Sequence, residues 1–183
     1  MIKDRPLELL GDREGAGKAT FPNGDVYEGE YSNGVREGVG KYSYAAPPPG
    51  EEEEPKPPVA EYDGCFTRGE KAMVGTMTYA SGHKYHGSWK GGTFNGEGTM
   101  FYPNGDLFTG KWSSGVKQGM GTYIFKATAT KVTGQWASNV LVSGTFSDAF
   151  GNQYAGSFES DSSASTFAPD GVFTLASGAV AAA

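Results

Sequence analysis

The chain has few of the residues and segments on which many protein classes depend. Cys65 is its single cysteine, so no internal disulfide framework can form. It has no apolar run of about 18 residues that would span a membrane as a helix, and its start, Met1 to Pro6, lacks the apolar core of a signal peptide. We therefore expect a soluble, intracellular protein in a reducing compartment.

Metal ligands are scarce. His83 and His86 are the two histidines, and Cys65 would be a third ligand. A zinc site needs a fourth ligand, and these three residues match no common zinc spacing. We expect no metal and no cofactor.

Catalytic motifs are also missing. The segment Gly15-Ala16-Gly17-Lys18 looks like the end of a phosphate-binding loop, but Asp12 stands where the first glycine is needed. Ala19 stands where a hydroxyl must bind magnesium. The acidic residues show no pairing suited to acid–base catalysis. We predict that the chain is not an enzyme.

The abundant residues are glycine, with 29 among 183, and aromatic residues, at 13 %. They recur with a period of about 23 residues, which is the signature of a repeat array. With a leading aromatic as position 0, glycine falls at positions 2, 7, 11, 13 and 20, and aromatics fall at 4 and 17. The four best copies begin with Tyr27, Gly29 and Tyr31; Tyr62, Gly64 and Phe66; Tyr85, Gly87 and Trp89; and Phe108, Gly110 and Trp112.

The ends of the array depart from this pattern. An N-terminal copy keeps glycines at the expected positions but has no aromatics in its first strand, which is typical of a capping repeat. After Phe125 the triplet Val132, Gly134 and Trp136 comes one residue late, Asn139 replaces a glycine, and the next copy spans 154–158.

Each copy is predicted to form a β-hairpin. Positions 0, 2 and 4 share one face of a strand because side chains alternate with period two. We expect the glycine between two rings to leave room for a ring of the neighbouring copy. Asn23-Gly24, Ser81-Gly82 and Asn104-Gly105 are turn dipeptides that would link one hairpin to the next. Ten to twelve short strands would then make one elongated, twisted antiparallel sheet with an aromatic face and a polar face.

These spacings resemble the MORN repeat (membrane occupation and recognition nexus), which has the pattern Tyr-x-Gly-x-aromatic-x-x-Gly followed by Gly-x-Gly. The resemblance covers roughly residues 11 to 160 and implies an all-β, single-layer repeat solenoid. It suggests the following divisions: a capping repeat at 1–26, a repeat at 27–44, an inserted loop at 45–61, three repeats at 62–131, degenerate repeats at 132–160, and a cap or disordered tail at 161–183.

The insertion contains Pro47-Pro48-Pro49, the acidic run Glu51 to Glu54, and Pro57-Pro58. Proline and like charges favour an extended, solvated loop. We interpret it as a tolerated surface insertion, with a partner-docking arm as the alternative.

Charge is uneven along the chain. The net charge of −6 separates into −6 for residues 1–61, +4 for 62–136 and −4 for 137–183. The basic middle would suit an acidic partner surface or form an ordinary solvated face.

Equivalent aromatic positions should form a ladder along the array. Most rings must pack on one another, but a one-layer sheet would leave an apolar groove where a helix or extended segment of a partner protein could bind. The groove is predicted to be lined by Tyr27, Tyr31, Tyr62, Phe66, Tyr85, Trp89, Phe108, Trp112, Trp136, Tyr154 and Phe158.

Three functions are compatible with such a surface. The first is a non-catalytic scaffold in a multi-subunit complex; short MORN proteins of this kind are similar to components of radial spokes in the axoneme of the cilium or flagellum, which implies a cytoskeletal location. The second is a peripheral membrane adaptor that binds phospholipid headgroups, which the net charge of −6 disfavours. The third is the targeting module of an enzyme, although no catalytic domain is encoded. No feature suggests nucleic-acid binding, and we predict the scaffold.

Overall fold

The computed structural model describes residues 13–47, 56–160, 165–167, 171–177 and 180–182. The acidic run of the insertion, the first strand of the N-terminal copy and the Ser-rich residues 161–164 lie outside these ranges. Contacts divide the chain into two units, Met1–Thr93 and Phe94–Ala183. We call them the first and the second unit.

The predicted all-β fold of tandem antiparallel hairpins is confirmed: every regular element in the described ranges is a strand. The strands of the first unit are β1 (Gly15–Thr20), β2 (Val26–Ser32), β3 (Val35–Tyr44), β4 (Ala60–Thr67), β5 (Glu70–Tyr79) and β6 (Lys84–Lys90). The second unit contains β7 (Thr93–Phe101), β8 (Leu107–Ser113), β9 (Val116–Phe125), β10 (Thr130–Ala137), β11 (Val140–Ser147), β12 (Gln153–Ser160), β13 (Ser165–Phe167), β14 (Val172–Thr174) and β15 (Val180–Ala182).

Within each unit the strands pair antiparallel in chain order. In the first unit β1 to β6 follow one another. In the second unit β7 to β12 do the same, and then β14 and β15 extend the order while β13 pairs with the other end of β12. The fifteen strands exceed the ten to twelve predicted, because the region predicted as a cap or disordered tail forms three short strands.

Two-residue turns close the hairpins. The residues at the turns have positive φ, as in Asn33-Gly34, Arg68-Gly69 and Ser114-Gly115. This backbone twist matches that of the flanking strands and favours glycine. The repeated glycine at position 7 is therefore a hairpin-turn residue.

Two of the turns between hairpins are held by an aspartate. In the turn Asn23-Gly24-Asp25, the Asp25 carboxylate accepts hydrogen bonds from Asn23 Nδ2 (2.8 Å), Tyr42 Oη (2.7 Å) and the Ala45 backbone N–H (2.8 Å). Asp106 is bonded in the same way to Asn104, Tyr123 and Lys126. Each buried carboxylate thus connects a linking turn to the second strand of the following hairpin.

The insertion leaves the strand register unchanged. Tyr44 pairs with Ala60, next to the pair Tyr42 and Tyr62, and the Val59 backbone N–H donates to Tyr44 O at 2.9 Å. The two ends of the insertion are therefore adjacent, and β4 begins inside the range predicted as loop.

Candidate aromatic and cationic face

In the copies that begin with Tyr27, Tyr62 and Phe108, the leading ring lies over a pair of glycines. Gly29 pairs with Gly40 across β2 and β3, and a Cβ on Gly40 would overlap the ring and hydroxyl of Tyr27. Tyr62 covers Gly64 and Gly75 in the same way, and Phe108 covers Gly121. The expectation that the neighbouring copy supplies this ring is wrong. A register shift between positions 2 and 4 folds each hairpin so that its own leading ring reaches the glycine pair.

Neighbouring copies are joined by edge-to-face ring contacts. Tyr27 meets Tyr31 of its own copy at 5.2 Å between centroids and Phe66 of the next copy at 5.0 Å. Tyr62 likewise meets Phe66 at 5.2 Å and Trp89 at 5.0 Å. In the second unit Phe108 meets Trp112 at 5.3 Å and Trp136 at 5.2 Å. Such pairs contribute about 0.5 to 1.5 kcal/mol beyond the area that they bury.

The polar atoms of these rings are bonded to backbone. Tyr27, Tyr62, Tyr85 and Tyr154 donate their hydroxyl hydrogen to the carbonyl three residues later, at 2.8 to 3.0 Å. Each tryptophan at position 4 donates its indole N–H to a glycine carbonyl of the preceding hairpin: Trp89 to Gly75 O (3.1 Å), Trp112 to Gly98 O (3.1 Å) and Trp136 to Gly121 O (3.2 Å). The tryptophans therefore fasten one hairpin to the hairpin before it.

Cations occupy position 9, directly across the hairpin from the ring at position 4. Arg36 pairs with Tyr31, Lys71 with Phe66 and Lys117 with Trp112. Lys71 Nζ lies 5.2 Å from the ring centroids of both Tyr44 and Trp89. Lys117 Nζ lies 4.8 Å from the Trp136 centroid and 5.1 Å from that of Phe108. These distances are within the range of cation–π attraction.

A family model for the MORN repeat matches residues 10–26, 27–46, 62–84, 85–107 and 108–127, more than half of the chain. The chain belongs to the MORN-repeat family. The MORN repeat is a non-enzymatic repeat, and its presence suggests a repeat protein that binds proteins or lipids. No curated protein matches the chain significantly.

Most of the predicted groove residues are the core of the MORN hairpins. Tyr27, Tyr31, Tyr62, Phe66, Tyr85, Trp89, Phe108, Trp112, Trp136 and Tyr154 each expose at most 7 % of their surface, whereas Phe158 is half-buried. Their role in partner binding stays a prediction. Contact with a partner would have to begin on side chains that cover the same face and remain accessible.

The accessible side chains of that face come from the second strand of each copy. Position 17 places Tyr44, Tyr79 and Phe125 on the same face as the leading rings because side chains alternate. Tyr44 and Tyr79 are half-buried, and Phe125 exposes 38 % of its surface. Tyr44 lies 4.6 Å from Tyr42, and Phe125 lies 4.6 Å from Tyr123, between ring centroids. We call this set, together with the position-9 cations, the second-strand row.

The cations of the row were not predicted from the sequence, although they recur at a fixed position of the repeat. Counting nine from each leading position reaches Arg13, Arg36, Lys71 and Lys117, while the copies that begin at Tyr85, Val132 and Tyr154 have Phe94, Leu141 and Ser163 there. Arg13 also lies over a ring, that of Tyr31, at 5.2 Å. A charge at this position recurs with the period of the array, so it is part of the repeat.

Burial shifts the pKa values of cations in the row and of a tyrosine in the core beneath it. Burial, followed by the nearby Arg36 charge, lowers the pKa of Lys71 to about 8. Burial also lowers the pKa of Lys117. In contrast, burial raises the pKa of Tyr27 to about 12. The cations are therefore held where their hydration is reduced, which strengthens any interaction with an anion.

Other chemistries find little support in the described part of the chain. It contains no group of three or more His, Cys, Asp or Glu side chains placed to hold a metal ion. Cys65 is half-buried on β4, and His86 Nδ1 lies 2.9 Å from Thr76 Oγ1 in a cross-strand pair. Among the same residues there is no helix that could cross a membrane.

Proposed function

We propose that the chain is a non-catalytic scaffold in which the second-strand row of a unit binds a helix or extended segment of a larger partner protein. One observation supports this most: the aromatic face carries accessible rings and cations together. The two ion pairs among the described residues are Lys18–Glu28 (3.2 Å) and Lys41–Glu61 (3.0 Å), and neither uses a position-9 cation. The row is thus apolar and positively charged at once.

Protein interfaces favour the rings and the arginine of this combination, whereas lysine is depleted there. Aromatic residues and arginine are enriched where partners bind, since they bury a large area and still offer a directed polar contact. The buried leading rings would support the row from beneath. A partner segment would then be recognised by the row, while the core fixes its geometry.

The test compares two exposed phenylalanines on opposite faces of the second unit. Phe125 exposes 38 % of its surface on the aromatic face, and Phe101 exposes 41 % at position 16, on the other face. Tagged wild-type protein, Phe125→Ala and Phe101→Ala would be used as baits in the same extract. We expect Phe125→Ala to lose salt-resistant partners that wild type and Phe101→Ala retain. Equal recovery by both variants would contradict the proposal.

The competing function is a peripheral membrane adaptor, because cations between rings would also suit anionic headgroups. Flotation of the pure protein on vesicles of phosphatidylcholine mixed with anionic phosphatidylserine separates the two. Flotation that Phe125→Ala abolishes, without a stable protein partner, would favour the adaptor.

We further propose the radial-spoke type of complex in the ciliary axoneme as the assembly. This location rests on the resemblance to short axonemal MORN proteins alone. Extract from ciliated cells is therefore the first extract to use, and recovery of non-axonemal partners only would contradict the location.

A further inference from the structure

The first unit contains a cavity of about 210 Å³ on its aromatic face, between two successive position-9 cations. Its wall combines Arg36 and Lys71 with the rings of Tyr42, Tyr44 and Phe66. At about 30 Å³ per water molecule, it has room for roughly seven waters, or for one side chain with several non-hydrogen atoms.

Both cations have hydrogen-bond donors left for a ligand. Arg36 Nε (3.2 Å) and Nη2 (2.7 Å) donate to Gly69 O, which uses two of the five guanidinium N–H groups. Lys71 Nζ donates to Tyr44 Oη at 2.7 Å, which uses one of three. Within the described ranges, no carboxylate forms an ion pair with either cation.

The glycines around the cavity distinguish between kinds of anion. Phosphate sites in glycine-rich loops use free backbone N–H groups. Here the Gly69 N–H donates to Arg36 O (2.9 Å), and the Gly92 N–H donates to Lys71 O (3.1 Å). These two amides are already occupied, so neither is free for an anion, and the cavity offers the side-chain donors of Arg36 and Lys71 between aromatic walls.

From this arrangement we infer that the cavity is a receptor for one carboxylate side chain, an Asp or Glu of the partner segment, flanked by apolar residues that pack on Tyr44 and Phe66. The inference rests on the proposed scaffold function and names the chemistry of its partner. A carboxylate accepts two bonds in a plane, which suits the remaining donors of Arg36 and Lys71. Its apolar neighbours would cover the half-buried ring of Tyr44.

The charges that face Lys71 are few. Arg36 and the hydroxyl of Tyr44 approach from β3, the ring of Tyr62 from β4, and that of Trp89 from β6. Glu70, on the same strand as Lys71, is the one carboxylate of the cavity wall. Since the pKa of Lys71 is lowered to about 8 by burial, a bound carboxylate should raise it and should bind less tightly as pH rises above 8.

Phenylacetate is a suitable probe because it joins a carboxylate to one ring. Phenylacetamide is its uncharged control. We expect phenylacetate to bind the full-length protein at least about tenfold more tightly, as measured by NMR titration, because a charge-assisted hydrogen bond is roughly twice as strong as a neutral one. Lysine side-chain NMR should show the pKa of Lys71 rising on binding.

The variants are Lys71→Met, which keeps a long apolar stem, and Arg36→Gln. Each should weaken phenylacetate binding by about tenfold or more. The exposed Lys84→Met has the same change of charge and should leave binding unchanged. Thermal unfolding of each variant would show that the fold is retained, and Arg36→Lys offers a milder second variant that keeps the charge.

Three results would overturn the inference: equal binding of phenylacetate and phenylacetamide, binding that survives Lys71→Met, or tighter binding of inorganic phosphate than of phenylacetate. Vesicle flotation that depends on Lys71 would also overturn it in favour of a lipid. If phenylacetate fails to bind but partner capture still depends on Phe125, the scaffold function stands and only the carboxylate receptor is refuted. If capture does not depend on Phe125, the scaffold function itself is refuted.

Discussion

Two adjacent hairpins of the second unit, β8–β9 and β10–β11, share one plan but differ in what covers their glycine pair. In β8–β9 the ring of Phe108 lies on Gly121, and in β10–β11 the leading residue is Val132. A Cβ on Gly144, which pairs with Gly134 as Gly121 pairs with Gly110, would first meet the backbone of Thr133 and Gly134. The second glycine of the pair therefore lies against a ring in β8–β9, the regular hairpin, and against backbone in β10–β11. We call β10–β11 the last hairpin because it is the last one that the described ranges contain in full.

The last hairpin also lacks other contacts. Its glycines pair ten residues apart, whereas Gly110 and Gly121 are eleven apart, so its bulge is one residue shorter. The linking turn before it contains Thr128 and Ala129 in place of an Asn-Gly-Asp sequence, and Phe146 stands where Tyr123 bonds Asp106. It keeps Trp136, whose indole bond to Gly121 O fastens it to β9. The comparison indicates that the position-4 tryptophan holds a hairpin in the array after the leading ring is lost.

The prediction with the largest expected loss of stability tests whether the position-4 tryptophan holds the hairpin in the array. Trp112→Ala and Trp136→Ala should each lower the free energy of unfolding by about 3 to 5 kcal/mol, because both side chains are buried. Trp112 should be at the upper end, since it packs between Phe94 and Phe108, whereas Trp136 has no leading ring of its own copy. Urea titration followed by circular dichroism measures both.

Trp136→Phe is the control for the indole bond. It keeps a ring against Phe108 and removes the donor to Gly121 O, so it should cost about 1 kcal/mol for the hydrogen bond, plus a packing loss. If Trp136→Ala proves nearly neutral, the tryptophan does not hold the last hairpin, and the comparison fails.

A second, smaller effect tests the role of the glycine pair. Gly121→Ala should destabilise by about 1 to 3 kcal/mol because its Cβ would overlap the Phe108 ring. Phe108→Val copies the last hairpin and frees that space. The double variant should therefore be less unstable than the sum of the single variants, by about 1 to 3 kcal/mol in a double-mutant cycle.

Gly110→Ala provides the matched control. Its Cβ would first meet the Gly121 Cα and the Met120 carbonyl, which are backbone atoms that Phe108→Val does not move, and would meet the Phe108 ring only at 3.2 Å. Much less rescue is expected there than at Gly121. Equal rescue at Gly110 and Gly121 would show that the ring is not what the glycine at position 13 accommodates.

The sequence was sufficient for the hairpins but not for the contacts between them. Alternating Tyr27, Gly29 and Tyr31 and the Asn-Gly turns predicted strand positions because both signals are local. The ring that covers the glycine pair depends on a register shift, which arises only when two strands pair. For this reason the sequence led to the wrong prediction that the ring comes from the neighbouring copy, whereas it comes from the same copy.

The site was harder to predict than the fold. Aromatic positions were assigned to one face, but their division between core and accessible surface depends on how deeply each copy packs on the next. Lys71 and Lys117 were counted only as part of the basic middle of the chain, which would suit an acidic partner surface or form a solvated face. Their recurrence nine residues after Tyr62 and Phe108 was visible in the sequence and, without a packed structure, had no physical meaning.

A third prediction concerns pH. The Lys126 backbone N–H, with Asn104 and Tyr123, lowers the pKa of Asp106, so the stability from this carboxylate is present above pH 4 or so and is lost as pH falls through its folded pKa. Burial and the bond to Asp106 raise the pKa of Tyr123. Its contribution is present below pH 10 or so and is lost as pH rises through the higher folded pKa.

Tyr123→Phe gives the regular hairpin a phenylalanine, the residue that the last hairpin has at the equivalent position, Phe146. It should lower the thermal midpoint at pH 7 by about 2 to 4 °C and should reduce the loss of stability between about pH 10 and 12. Thermal scans across pH for both proteins measure this. An unchanged alkaline slope would mean that the other buried tyrosines, such as Tyr27 and Tyr62, account for it.

The smallest expected effect is a gain in stability. Ala129, in the turn before the last hairpin, has φ of 52°, where a side chain is strained and glycine is not. Ala129→Gly should raise the free energy of unfolding by about 0.5 to 1 kcal/mol, as measured by urea titration. Gly105→Ala in the regular hairpin's turn, at φ of 86°, should lose at least as much, because its Cβ would also approach Lys126 at 3.1 Å. If Ala129→Gly is destabilising, the restricted backbone of alanine stabilises the turn by more than the strain at positive φ costs. The last hairpin would then differ from the regular hairpin by an adapted turn as well as by lost contacts.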